Sequence, residues 1–279
     1  SDNLDQLFRP VDINEMLSQE PVEMENDKDA QYRLGFIYNE NQELDLAKEW
    51  FMKSALQGQK DAQYFIGFFY DTGQGIPQDY NLAIEWYTKS AEQNDKDAQN
   101  NLGLIYSNGN GVEKNYVLAK EWYEKAAEQN DKNAQFNLGL LYYKGGYGIL
   151  KNHNLAKKWF MDSSEQGHRQ AQYYLGLIYN NSGQDYIFMA KKWFTKAAEQ
   201  NQKNAQYQLG LMYYKGPGEI NYALAKEWFT KAAEQNLKNA QYQLGIMYYK
   251  DKDFVLAKEW FTKAAEQNQK DAQYQLGLM

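Results

Sequence analysis

The chain has 279 residues, with 37 acids against 30 bases and no cysteine. A net charge of −7 argues against a basic nucleic-acid-binding surface, and the missing thiols exclude disulfide staples and thiolate metal sites while leaving the compartment open. No apolar run approaches the ~20 residues of a membrane span, no signal peptide is present, and abundant aromatics with only four prolines favour ordered helices.

Residues 1–26 carry no repeat pattern and are read as a separate acidic segment. Eight acids and a single base, Arg9, lie within residues 1–27, so this stretch accounts for the whole net charge and the rest of the chain is neutral. Leu4, Leu7, Phe8, Val11, Ile13, Met16 and Leu17 suggest short helices covering the exposed end of the repeat array. A cap is the expectation, and an acidic recognition arm is the rival. The chain starts at Ser1, which fits a removed leader or a cloning boundary.

From residue 27 the sequence is periodic. Ala-Gln recurs at Ala30, Ala62, Ala98, Ala134, Ala171, Ala205, Ala240 and Ala272, followed five residues later by a glycine. All seven tryptophans fall in one frame, three residues after an alanine and 12 before the next Ala-Gln. Length varies only between the repeat tyrosine (Tyr38, Tyr70, Tyr106, Tyr142, Tyr179, Tyr213, Tyr248) and the alanine before Trp, so that connection is a rim loop and the other a packed turn. Periods of this size mark a stacked array of hairpins. The reading is seven full repeats and a terminal half repeat over 27–279, broken off at Met279, which fits further repeats or a final cap.

Each repeat is two helices. In helix A, Ala, Leu and Tyr recur at i, i+4 and i+8 as one apolar stripe. Its glycine costs ~1 kcal/mol against alanine in a helix, so its recurrence implies an approach too close for a Cβ. Helix B, of the form Leu-Ala-Lys-Glu-Trp-Phe-x-Lys-Ala-Ala-Glu-Gln, buries Ala, Trp, Phe and Ala. It turns pairs such as Glu49–Lys53, Glu121–Lys125 and Glu227–Lys231 to water. Gly58, Asn94, Asn130, Gly167, Asn201, Asn236 and Asn268 are placed to end helix B in the left-handed conformation. The Asp or Asn before most Ala-Gln pairs is the expected N-cap of helix A.

The second repeat, from Ala62 through Gly67, Tyr70, Gly73-Gln-Gly75-Ile76, Ala83 and Trp86 to Asn94, resembles a Sel1-like repeat almost throughout. The resemblance covers about residues 27–279. It implies an all-α, right-handed α/α superhelical solenoid of helix–turn–helix repeats, related to tetratricopeptide arrays, with helix A on the concave side. Family members are typically adaptors and scaffolds, some of them bacterial immunity proteins that neutralise secreted toxins such as type VI secretion effectors. The rim motif is eroded in later repeats, as in Asp251-Lys-Asp-Phe254.

On that resemblance a second helix-A stripe, starting two residues after the repeat alanine, faces the groove. Its candidate partner-binding residues are Tyr32, Tyr64, Phe136, Tyr143, Tyr173, Tyr207, Tyr214, Tyr242 and Tyr249, with Lys215 and Lys250 beside the last of them. Tyrosine combines rigid contact area with a polar tip. Packing between neighbouring A helices is the competing reading. With Asp71 early and lysines late, the groove should run from acidic to basic.

Nothing local points to catalysis. His153 in a rim loop and His168 in a tight turn read as surface residues without a second ligand at metal spacing, and no nucleophile elbow or phosphate loop occurs. The expectation is a non-enzymatic, soluble, monomeric scaffold of the bacterial periplasm or cytoplasm. It needs no cofactor or metal, makes no nucleic-acid or integral-membrane contact, and binds a protein or peptide in its groove. The alternative is a carbohydrate or cell-wall ligand module.

Overall fold

The structure, a computed structural model, describes residues 26–216 and 220–279. The cap expected over residues 1–26 therefore falls outside the described residues, all but Asn26. Among the described residues the chain is all-α: fifteen α-helices, a 3-10 turn at Gln184–Tyr186 and one antiparallel bridge between Gly146 and Ile149.

The chain divides into two compact units. The first, described from residue 26 to Ala134 with Gly146–Ile149, holds α1 (Lys28–Glu40), α2 (Leu44–Leu56), α3 (Lys60–Thr72), α4 (Tyr80–Glu92), α5 (Lys96–Asn108) and α6 (Tyr116–Glu128). The division falls within α7 (Lys132–Lys144). The second unit, Gln135–Gly145 with Leu150–Met279, continues through α8 (His153–Glu165), α9 (Arg169–Asn181), α10 (Ile187–Glu199), α11 (Lys203–Lys215), α12 (Tyr222–Glu234), α13 (Lys238–Lys250), α14 (Phe254–Glu266) and α15 (Lys270–Leu278). Odd-numbered helices are helix A and even-numbered ones helix B. Within each unit, successive helices pack on one another, α1 on α2 on α3 and so on.

The repeat glycines are where helix A meets helix B. A Cβ added at Gly35, Gly67, Gly103, Gly139, Gly176, Gly210 or Gly245 would lie within 2.7 Å of the ring that follows the repeat tryptophan. Those rings, from Phe51 and Tyr87 to Phe229 and Phe261, are 2% exposed or less. The tryptophans do less than the sequence pattern implies. Only Trp86 and Trp193 are buried, while Trp50, Trp122, Trp159, Trp228 and Trp260 are half-buried. Except at Trp159, a lysine three residues on lies over the indole, as with Lys53 on Trp50 at 4.2 Å and Lys263 on Trp260 at 4.3 Å. The indole thus covers the core edge while its lysine keeps its charge in water. Four of the five expected Glu–Lys pairs close, at 2.6–2.8 Å. In place of Glu121–Lys125, Lys120 meets Glu124 at 3.5 Å.

Gln273 is exposed, whereas the glutamine of each of the first seven Ala-Gln pairs, Gln31 to Gln241, is buried and joins repeats. Its carbonyl accepts from the glutamine that ends helix B of the same repeat, as in Gln57–Gln31, Gln93–Gln63, Gln200–Gln172 and Gln235–Gln206 at 2.7–2.8 Å. Its amide donates back to the end of the preceding helix B, from Gln63 to Ala55 O, Gln99 to Ala91 O and Gln206 to Ala198 O at 3.1–3.2 Å. One side chain therefore adds a second hydrogen bond to a helix-end carbonyl that already accepts from the left-handed residue, and fixes the next hairpin.

All seven residues expected to end helix B in the left-handed region do so, with φ between 58° and 82°. The N-caps of helix A are corrected. They are not the Asp or Asn beside Ala-Gln but the residue two earlier: Asp27, Gln59, Asp95, Asp131, His168, Gln202 and Gln269 each accept from the backbone of the first turn. The turn after helix B leaves one extended residue before the helix restarts, and only there can a side chain reach back to the N3 amide. His168 is thus a capping residue stacked on Phe136 at 4.5 Å, not an idle surface side chain. His153 is the first residue of α8, not part of the loop.

Rim loops of different length close the same way. The amide of the residue before helix B donates to the repeat-tyrosine carbonyl, as in Glu43–Tyr38, Asp79–Tyr70, Asn152–Tyr142 and Asn221–Tyr213 at 2.8–2.9 Å.

Two predictions test these joints. Gly139→Val should cost about 1–3 kcal/mol through overpacking against Phe160, read as a lowered urea midpoint. The same change at Gly277, where nothing lies within 4 Å, should leave the midpoint nearly unmoved. Gln206→Leu should destabilise by about 1 kcal/mol despite its greater hydrophobicity, because the Ala198 carbonyl and the Gln235 amide each lose one of two partners. An unchanged midpoint for Gln206→Leu would mean the clamp is replaceable by apolar packing.

Candidate partner-binding face

Helix A carries a second stripe beside the one that faces helix B. At its first position the ring rests on the buried ring of its own helix B. Centroids are 5.7–6.0 Å apart for Tyr32–Phe51, Tyr64–Tyr87, Phe136–Phe160, Tyr173–Phe194, Tyr207–Phe229 and Tyr242–Phe261. Each of these tyrosines is half-buried. Burial pushes the hydroxyls of Tyr32 and Tyr64 up to about 12, helped by nearby aspartates, and raises those of Tyr173, Tyr207 and Tyr242. Phe136 corrects the expectation. It is 8% exposed, enclosed by Phe160, His168 and Tyr174, and is a packing residue.

The third position of the stripe separates the two units. In the first it is polar. Asp71 accepts from Tyr87 Oη at 3.2 Å, Asn101 donates to that hydroxyl at 3.1 Å, and Ser107 meets Tyr123 Oη at 3.1 Å. In the second unit it is aromatic in three repeats. Tyr143, Tyr214 and Tyr249 meet the first residue of the following helix B, His153, Tyr222 and Phe254, edge to face at 5.3–5.6 Å. Tyr143 and Tyr214 are half-buried, Tyr249 is exposed, and Lys144, Lys215 and Lys250 stand exposed beside them.

Charge follows the same division. α3 carries Asp61 and Asp71 against Lys60, whereas α11 and α13 carry two lysines each and no acid. Burial raises the carboxyls of Asp71, Asp95 and Asp97 above their usual range, the Tyr87 hydrogen bond pulling Asp71 partly back. Among the described residues no three His, Asp or Glu side chains gather as metal ligands, and no helix is long and apolar enough to cross a membrane.

Two participants escaped the sequence pattern. Phe65 stacks flat on Phe51 of the preceding repeat at 4.6 Å, and Tyr174 stacks on Phe160 at 5.2 Å. They sit three residues after the repeat alanine. Other repeats place Arg33, Asn101, Asn137, Gln208 or Gln243 there, so periodicity carries no signal for them.

A carboxyl with a raised folded pKa binds its proton more readily folded than unfolded. Its contribution to stability is full at low pH and declines as pH rises from about 4. Asp71→Asn should therefore raise the thermal midpoint at pH 7, and the gain should vanish near pH 3. A loss at pH 7 would mean that the charge itself holds Tyr87 in place.

The family model described as Sel1 repeat matches residues 28–59, 60–95, 96–131, 132–168, 169–202, 203–237 and 238–269. Among solved structures, c5321, a protective antigen present in uropathogenic Escherichia coli strains and displaying an SLR fold, is 35% identical with a TM-score of 0.82. The match covers 91% of this chain and 57% of that one, so this chain spans little more than half of that relative. A Sel1 repeat protein from Oxalobacter formigenes is 29% identical over 90% of this chain and 76% of its own, with a TM-score of 0.76. The immunity protein Pa5087 from Pseudomonas aeruginosa is 21% identical over 75% of this chain and 81% of its own at a TM-score of 0.47, too distant a likeness to speak to function. No curated protein matches the chain. With seven consecutive segments matched from residue 28 to residue 269, the chain belongs to the Sel1 repeat family.

Proposed function

We infer that this chain is a protein-interaction scaffold that holds a partner protein or peptide along its helix-A face, with an adaptor or toxin-neutralising immunity role as the sharpest form of that reading. The observation that carries it is the third stripe position of the second unit, where Tyr214 and Tyr249 stand beside the exposed Lys215 and Lys250 on helices that carry no acid. Rigid aromatics rimmed by long cations suit the buried anchors and polar rim of a protein interface.

A carbohydrate ligand would need flat, open ring faces. Here each ring pair meets at 71–74°, so the edge of one ring covers a face of the other. The geometry favours a polypeptide.

Tyr207 and Tyr242 rest against the wholly buried Phe229 and Phe261, with ring centroids 5.8 Å apart, and so carry more packing than Tyr214 or the exposed Tyr249. Tyr214→Ala, Tyr249→Ala and Lys215→Glu combined should leave the helical circular-dichroism signal intact. The triple variant should lose at least tenfold in affinity, about 1.4 kcal/mol, for a partner retained by the unaltered chain. For the immunity reading, the candidate partner is the product of the adjacent gene, and co-expression should relieve its toxicity. Full binding by the triple variant would reject this face as the contact surface.

A further inference from the structure

Between α11, α12 and α13 in the second unit lies an open cleft of about 370 Å³ lined by Tyr214, Tyr222, Ala223, Lys226, Met247, Lys250 and Asp251. It is far too small for a helix and of a size for one or two side chains. Met247, 6% exposed, supplies apolar lining.

The polar groups around it form an unequal set. Lys250 Nζ donates to Tyr214 Oη at 2.5 Å and lies 5.1 Å from the centre of the same ring. An ammonium only donates, so the phenol oxygen is the acceptor and the phenol proton must point elsewhere. Among the described residues no hydrogen bond from the hydroxyl of Tyr214 or Tyr222 to a protein acceptor is found, though the two rings stand edge to face at 5.6 Å. Among the described residues the cleft's single acid, Asp251, is already matched by Lys226 at 3.1 Å, and Lys226 also lies over Tyr248 at 3.8 Å. Among the described residues, the remaining Lys250 protons and two phenol protons thus face a cleft with one positive charge that no carboxylate matches. Contact with Tyr214 raises the Lys250 pKa, so the amine keeps its charge.

The arrangement needs a tyrosine at the third stripe position of one repeat and a lysine one position further along in the next. Tyr143 is matched by Asn181 in the next repeat, and Asn180 by Lys215. Among the described repeats of the second unit only Tyr214 and Lys250 meet the condition.

We propose that the Tyr214–Tyr222–Lys250 cleft is an acidic-residue subsite that takes the carboxylate of a glutamate or aspartate side chain from a bound polypeptide, with the adjoining apolar residue of that polypeptide against Met247 and the Tyr222 ring. The carboxylate accepts from Lys250 and the two phenols in charge-assisted hydrogen bonds. This deepens the partner-binding reading and rests on it for its biological meaning, but the chemistry of the cleft is testable without any partner.

The probe is acetyl-Leu-Glu-Leu-amide, titrated into the full chain with amide shifts followed by NMR, alongside its glutamine counterpart and sodium acetate. The expected result is saturable shifts clustered on residues 214, 222 and 250 with the glutamate peptide, weakened at least tenfold for the glutamine peptide and by raised salt. Lys250→Gln, which keeps a donor to Tyr214 but no charge, should lose a similar factor. Tyr214→Phe, which keeps the ring packing and the fold, should weaken binding by a smaller factor. Equal binding of both peptides, or unchanged affinity in Lys250→Gln, would overturn the subsite. So would acetate saturating the same residues as tightly as the peptide, because the cleft would then take a free anion. Tight glutamate-peptide binding in a chain whose partner ignores Tyr214 and Tyr249 would overturn the partner-binding face and leave the subsite standing.

Discussion

Within each unit, successive repeats are locked together through a buried glutamine amide, as at Gln63, Gln99, Gln172, Gln206 and Gln241. The side chain of Gln206 spans from the end of α10, at Ala198 O, to Gln235 at the end of α12, so one residue ties three helices together. Burying an amide is costly unless every donor and acceptor finds a partner. Here the partners are a helix-end carbonyl that also accepts from Asn201 N and a side-chain amide that projects past a helix end. Where the left-handed residue is asparagine, its side chain joins the same network, as Asn201 does with Gln206 at 3.2 Å and Gln235 at 2.9 Å. The network is satisfied only in one register of hairpin on hairpin. It therefore gives specificity of stacking that an all-apolar joint would lack.

With the joint fixed by polar atoms, the apolar contacts can be nearly identical from repeat to repeat. A ring from helix B lies flat over a glycine of helix A, close enough that a methyl group could not enter. The helical penalty of that glycine is offset by the contact area of a wholly buried Phe or Tyr. Five of the seven tryptophans are then left at the edge of the core, and in four of these, Trp50, Trp122, Trp228 and Trp260, a lysine from the next turn shields the indole. Their strict spacing reflects a boundary between core and solvent and not the centre of the core.

The helix-A face is the part of the molecule with the least repetition, and the differences are chemical. In the first unit the buried ring is twice a tyrosine, and its hydroxyl needs a polar neighbour, met by Asp71 and Asn101 in one repeat and by Ser107 in the next. In the second unit the buried ring is phenylalanine, the third stripe position is free to be aromatic, and the neighbouring position is lysine in three repeats. The identity of one core ring thus bears on whether the face above it is polar or aromatic. A scaffold whose repeats differ in this way can present distinct chemistry along its length without altering how its hairpins stack.

Local spacing was enough to define the two helices of each repeat, their rim loops of unequal length, the glycine contact and the left-handed ends at Gly58, Asn94 and their equivalents. These features follow from helical period and backbone conformation, which act within a dozen residues. Contacts across repeats emerged only from packing. The glutamine partners are 26 to 31 residues apart. Phe65 and Tyr174 stack on the preceding repeat at a position with no consistent residue type, and Phe136 is enclosed while Tyr214, on the same stripe, borders an open cleft. The N-caps of helix A fell outside the pattern for a related reason, since the turn before each helix sets how far back a capping side chain must sit. Periodicity shows which side of a helix is apolar, but how much of that side stays open depends on the size and shape of the neighbours, which only the packed hairpins supply.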